Sequence, residues 1–139
     1  MPTNRRIASP PDVVERFTAA IEAASIGEVL FTRDAVLDAT VPNWRFTACG
    51  AGAVAAELSR WFADPACFET MRRVDIAGGV LLQFDLAWVE QGEPHMCRQA
   101  HVLELRDGRI ARLTVYCGGR WDSALMAEMG AAAAASQCA

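Results

Sequence analysis

The sequence predicts an α+β domain, with helices segregated from a run of hairpins. Three observations carry this. Val14, Phe17, Ile21 and Ala24 recur at helical spacing, with Glu15, Arg16 and Glu22 elsewhere on the turn. From Phe68 onward, extended runs are separated by Gly78-Gly79, Gln91-Gly92 and Asp107-Gly108, of which Asp-Gly is the strongest hairpin signal. Leu82, Phe84, Leu86 and Trp88 alternate with Gln83, Asp85 and Ala87, so one face of that strand is buried. A strongly curved antiparallel sheet with helices packed on its concave face would leave a closed-ended pocket, the usual place for a small molecule.

Each element has its own signal. Ser9-Pro10-Pro11-Asp12 reads as a helix start, with serine as cap, proline in the first turn and an acid three residues after the cap. Gly27 interrupts, and Glu28 to Thr32 fits a short second helix. Ala35 to Val41 is a short β-rich run that Pro42-Asn43 breaks, and Trp44 to Thr47 resumes an extended pattern. Ala53 to Phe62 is the next helix, with Val54, Leu58 and either Trp61 or Phe62 inward, stopped by Asp64-Pro65. Leu113, Val115 and Cys117 alternate with Arg112, Thr114 and Tyr116 in the last strand, and Gly118-Gly119 marks a strand end or bend. Asp122 caps a final helix with Leu125, Met126 and Met129 on its apolar side. Residues 1–9 are expected to be a flexible tail, 10–130 a single domain, and 131–139 a flexible alanine-rich tail that frays.

The chain's 139 residues suffice for one core that buries roughly two-thirds of the unfolded surface. A hydrophobic content of 53% against 22% charged residues fits a packed globular protein. A formal net charge of −4 with scattered basic residues argues against nucleic acid as a partner. Met1 to Ala8 lacks the apolar core of a signal peptide, and no run is long enough to span a membrane, so the expectation is a cytoplasmic protein. The five cysteines make no CxxC pair and read as free, mostly buried thiols.

His101 is the most informative residue. On a strand, Cys97, Gln99 and His101 share a face with Leu103 and Leu105, while Arg98 and Glu104 point the other way. An ionisable ring then enters the apolar interior, either as a pocket proton donor or acceptor beside Gln99 or Tyr116, or as a neutral imidazole satisfied by its neighbours. Asp38 is the second catalytic candidate if a bulge or register shift turns it inward; otherwise it sits at a rim or pairs with an arginine such as Arg45. Trp44, Phe46, Trp61, Trp88 and Tyr116 are candidates for an aromatic pocket wall, with Gln99 and Cys97 as its polar members. His95 and His101 are six apart on one strand, roughly 20 Å, too far to share one metal. No metal and no cofactor is expected.

The element order and several phrases resemble the NTF2-like superfamily, in particular its SnoaL-like (polyketide cyclase-like) branch. Residues Leu30 to Asp38 are similar to that family's first strand entry, Gly52 to Leu58 to its third helix, and His101 to Ile110 to its final hairpin. The resemblance covers about residues 12 to 122. It implies a cone-shaped barrel with a deep pocket, commonly a homodimer through the outer sheet face. Its enzymes include ketosteroid isomerases, polyketide cyclases, dehydratases and epoxide hydrolases, while other members only bind or associate. Aligned on Asp34-Ala35, the isomerases' catalytic base falls at Ala39 rather than Asp38, and His101 falls where they carry a protonated Asp.

Two functions follow as expectations. One is binding of a small hydrophobic oxygenated molecule with cofactor-free acid–base chemistry of the cyclase, isomerase or dehydratase type. The other is a non-catalytic module that binds an apolar ligand or a protein. A carboxylate within reach of the pocket would separate them.

Overall fold

The computed structural model describes residues 12–136. Helix α1 spans Val13–Ala23. Its cap is Asp12, whose extended backbone and Oδ1, accepting the Glu15 N–H at 2.8 Å, satisfy the first turn. The cap expected at Ser9, with Pro10 and Pro11, lies outside the described residues. Val13, Val14, Phe17 and Ile21 are buried. Ala24 ends the helix instead of extending its apolar face: it takes the left-handed conformation at φ 53° and returns its N–H to Ala20 and Ile21.

A single 3₁₀ turn at Glu28–Leu30 leads into strand β1, Phe31–Val41. Strand β1 begins four residues earlier than its β-rich run suggested, because Phe31 pairs with Ile110. Strand β2 (Trp44–Cys49) folds back through a turn with Asn43 at φ 62°. Helix α2 (Ala51–Trp61) buries Val54, Ala55 and Leu58. Of the two aromatic candidates at its end, Phe62 is the buried one and Trp61 is half-buried.

Strands β3 (Ala66–Ile76), β4 (Gly79–Glu90), β5 (Glu93–Arg106) and β6 (Arg109–Asp122) form the expected meander. Gln91-Gly92 and Asp107-Gly108 both carry positive φ at each position, the turn geometry whose twist matches a tight hairpin. Gly79 is required by close approach, since a β-carbon there would run into the backbone carbonyl of Leu103.

Helix α3 (Ser123–Ala135) is capped by Asp122, whose Oδ1 accepts the Leu125 N–H at 2.9 Å. It runs through the alanines past the boundary expected at residue 130, as alanine's helix propensity favours. It buries no residue, so Leu125 and Met129 remain exposed rather than forming a packed side.

The six strands make one curved, unclosed sheet in the order β2-β1-β6-β5-β4-β3. Neighbours are antiparallel except β1 and β6, which run parallel because α2 and the other strands intervene between them. Phe17 and Ile21 of α1, Val54 and Leu58 of α2, and Leu37, Leu82, Phe84, Leu103, Leu113 and Val115 of the sheet belong to one buried cluster. Full burial of such side chains contributes roughly 1.5–3 kcal/mol each. No described helix is long and apolar enough to cross a membrane.

Candidate ligand-binding site

Strand parity decides which side chains reach the interior. On β5, Cys97, Gln99, His101 and Leu103 are all buried, and Arg98 and Glu104 are exposed. In register they meet Leu86, Phe84, Leu82 and Val80 of β4. On β6, Leu113 and Val115 are buried and Cys117 lies opposite Gln99. Then the register shifts: two residues, Gly118 and Gly119, lie opposite Arg98 alone, and Arg120 falls opposite Cys97. This bulge reverses the parity of β6 and turns Arg120 to the concave side. Gly119 holds the bulge at φ 113°, a conformation that side chains other than glycine's rarely adopt.

A cavity of about 380 Å³ opens at this end of the sheet. Phe46, Trp61, Phe62, Leu86 and Trp88 supply its apolar wall. Phe46 and Trp61 meet edge to face at 5.4 Å. The polar members are Arg60, Asp64, Cys97, Gln99, Cys117 and Arg120. Arg120 lies 5.3 Å over the Trp88 ring and donates to Glu90 Oε1 at 2.6 Å. Asp64, in the loop after α2, makes no hydrogen bond or ion pair with another described side chain.

Gln99 is the most confined of the polar amides and charges, at 4% exposure. Its Oε1 lies 2.7 Å from Nε2 of His101, and its Nε2 lies 3.4 Å from Cys117 Sγ. His101 is fully buried, and its Nδ1 has no hydrogen-bond partner. Those facts select one tautomer. With the proton on Nε2, His101 donates to Gln99 and leaves only a lone pair unpaired. The opposite tautomer would strand a buried N–H, which is the rarer and costlier defect. Burial among apolar groups pushes the His101 imidazole down to about 3, so the ring is neutral across the working range. Gln99 accepts from His101 on one side, donates to Cys117 Sγ on the other, and has one further amide proton to offer.

The other sequence candidates divide clearly. Phe46, Trp61, Trp88, Gln99 and Cys97 line the cavity. His101 stands behind Gln99 and is not on the wall, because Phe17, Phe62 and Phe84 surround its ring at 5.8, 6.4 and 5.0 Å. Asp38 is not at the cavity. Its two oxygens take the Arg45 fork at 2.9 and 2.8 Å, Arg112 approaches to 3.4 Å, and Arg45 holds the carboxyl below the usual range. Its neighbour Ala39, at the position aligned with the isomerases' base, is the inward residue. Tyr116, 54% exposed, follows the opposite parity to Val115 and belongs to the outer face. Trp44 shares Phe46's parity but stands at the strand end, 70% exposed. Cys97 is no nucleophile at neutral pH, since burial first, and Cys117 next, push its thiol up to about 12. Asp85, outward as its parity predicts, is held by Arg98 at 2.7 Å and by Thr70. His95 stacks on Trp88 at 5.7 Å and approaches Glu90 at 3.6 Å. No group of three described His, Cys, Asp or Glu residues is placed to hold a metal ion.

Among the polar lining residues, sequence reasoning missed Arg60, Asp64, Cys117 and Arg120. For Arg120 a signal existed, since a Gly-Gly pair inside a strand announces a parity change. Asp64 sits in a loop, where no periodicity predicts direction.

No family model matches the chain, and no curated protein matches it. Solved structures do. An NTF2-like protein from Anabaena variabilis superimposes with a TM-score of 0.67 at 15% identity, over 77% of this chain and 84% of that one. A protein with a ketosteroid isomerase-like fold from Catenulispora acidiphila, in complex with trimethylamine, gives 0.64 at 17%, over 88% and 95%. An NTF2-like protein of unknown function from Mesorhizobium loti gives 0.63 at 19%, over 80% and 98%. At these identities the likeness is one of fold, and a fold of this kind hosts unrelated activities.

Proposed function

We propose that this chain, which has the NTF2-like fold, binds a small hydrophobic oxygenated molecule in its internal cavity and performs cofactor-free acid–base chemistry on it. The reaction would be of the cyclase, isomerase or dehydratase type found in SnoaL-like proteins. One observation carries the reading: Gln99, nearly buried on the wall of a cavity of about 380 Å³, is fixed by His101 and by Cys117 Sγ, with one amide proton left to meet a ligand oxygen. A cavity of that volume suits a small molecule, and a mostly apolar wall with few fixed polar groups suits recognition of one carbonyl or ether oxygen. Trp61, Trp88 and Phe46 would exclude water, and Gln99 would stabilise charge developing on the oxygen. Asp64 favours a reaction over simple binding, because it is a cavity carboxylate with no arginine of its own. His101 becomes a positioning residue in this scheme, and Asp38 a structural one. Pairing of two copies through the outer sheet face, where Tyr116 is exposed, belongs to the same reading.

The test is binding of acetophenone followed by the fluorescence of the cavity tryptophans and by the Gln99 side-chain amide resonances. Saturable quenching with a shift of the Gln99 amide protons is the expected result. A Gln99 amide that stays unmoved while acetophenone binds would overturn the assignment.

A further inference from the structure

Arg120 is a charged side chain on the concave side of β6, and the bulge puts it there. Alternation carried on from Arg112, Thr114 and Tyr116 would send residue 120 outward and bring Trp121 in. Gly118 and Gly119 lie opposite Arg98 alone, so the parity reverses beyond them. Arg120 then lines the cavity, while Trp121 lines a depression on the outer face with Tyr116 and Thr40. A mostly apolar cavity would take the indole at no electrostatic cost. Exchanging it for a guanidinium runs against hydrophobic burial, and a local conflict of that kind marks a functional position.

The guanidinium is held in place without being used up. Its central carbon stands 5.3 Å from the Trp88 ring centroid, and Nη2 donates to Glu90 Oε1 at 2.6 Å. Nε and Nη1 make no hydrogen bond with a described residue, so donors remain to be offered. Glu90 is itself shared, since His95 Nε2 approaches its other oxygen at 3.6 Å. The cavity's other cation, Arg60, is engaged by Glu57 on its own helix. Its acid, Asp64, belongs to the loop after α2 rather than to the sheet. Register sets the spacing: Arg120 lies opposite Cys97, two residues along β5 from Gln99, a separation of roughly 7 Å.

We infer that the ligand of this cavity is an oxo acid, with its carbonyl oxygen on the Gln99 amide and its carboxylate on the Arg120 guanidinium at the mouth. The inference rests on the carbonyl reading of Gln99 and adds the second polar group of the same ligand. A guanidinium stacked on an indole is preorganised and presents its N–H groups to a planar carboxylate. Arg120 is half-exposed, which suits a charged group that stays at the entrance and keeps part of its hydration. The apolar frame then passes inward along Trp88 and Leu86, and a benzene ring carrying the two groups para to each other spans the separation.

The experiment is calorimetric titration with 4-acetylbenzoate and its neutral isostere 4-acetylbenzamide, with the Gln99 side-chain amide followed by NMR. The proteins are the wild type, Arg120→Met, Arg120→Lys and Arg109→Met, the last removing an exposed charge at the β5–β6 turn. The wild type should prefer the carboxylate by roughly tenfold, and less so at high salt. Arg120→Met should abolish that preference, Arg120→Lys should keep part of it, and Arg109→Met should leave it intact. A preference that survives in Arg120→Met, or that Arg109→Met removes equally, would overturn the assignment. If both ligands bind the wild type equally and both shift the Gln99 amide, the carboxylate site is refuted while the carbonyl reading survives. If neither ligand binds, both readings fall together.

Discussion

His101 Nε2 donates to Gln99 Oε1 over 2.7 Å, and this one bond sets both the tautomer of the histidine and the direction of the amide. It turns a residue with two interchangeable ends into a fixed donor. The histidine draws attention in the sequence because it is ionisable, but it acts here through being neutral.

That neutrality has a thermodynamic signature. The folded imidazole sits at about 3, below its ordinary 6.5, so between these values the unfolded chain holds a proton that the folded chain refuses. Stability is therefore fully present above pH 6.5 and is lost as pH falls. Between pH 6.5 and 4.5 the loss from this group should reach about 2–3 kcal/mol. Urea denaturation at stepped pH measures it. His101→Phe should flatten the profile in that window, and an unchanged profile would place the titration elsewhere.

Asp64 is expected to act as the base. In D2O the protein should accelerate deuterium exchange at the methyl carbon of acetophenone, read by proton NMR. Asp64→Asn should reduce that rate by on the order of 10²-fold or more, while ketone binding persists. Binding without any exchange in the wild type would support the non-catalytic module instead.

The cysteines should separate by reactivity. Cys49 and Cys67 are exposed, whereas Cys97 is buried with its thiol pushed up to about 12. Iodoacetamide at pH 7.5, followed by peptide mass spectrometry, should label the first two and spare Cys97 in the folded protein. Rapid labelling of Cys97 would show a cavity far wetter than described.

Gly119→Ala forces a side chain into φ 113°, against Pro42 and Trp121. The strain should cost about 1–3 kcal/mol in chemical denaturation. Gly92→Ala meets open space at φ 77° and should cost less. Equal losses would mean that the bulge which orients Arg120 is freely remade.

Much of the fold was legible because period and turn chemistry agree. Asp-Gly and Gln-Gly turns bracket strands whose alternation already names Leu82, Phe84 and Leu86 as inward. Asp12, read from the sequence as an acid of the first turn, is itself the cap of α1 through its bond from the Glu15 N–H. For the site, parity placed Gln99, Cys97 and His101 on the correct face, yet it says nothing of depth. Three phenylalanines from α1, α2 and β4 put His101 behind the wall, and no local pattern predicts that convergence. Tyr116 and Arg120 are the instructive pair: they lie on opposite sides of the Gly118-Gly119 bulge, so alternation carried through Arg120 without it gives the wrong face. Trp44 has the right parity and pairs with Val41 of the cavity wall, yet its side chain is exposed and outside the lining, which alternation alone does not predict.

The central claim is that Gln99, held by His101, recognises a ligand oxygen. Its most direct test is the preference for acetophenone over ethylbenzene, two molecules of near-equal shape that differ in the carbonyl, measured for the wild type and Gln99→Leu. One hydrogen bond of about 0.5–1.5 kcal/mol predicts a wild-type preference of roughly 2- to 12-fold that Gln99→Leu abolishes. A preference that survives intact in Gln99→Leu would contradict the account.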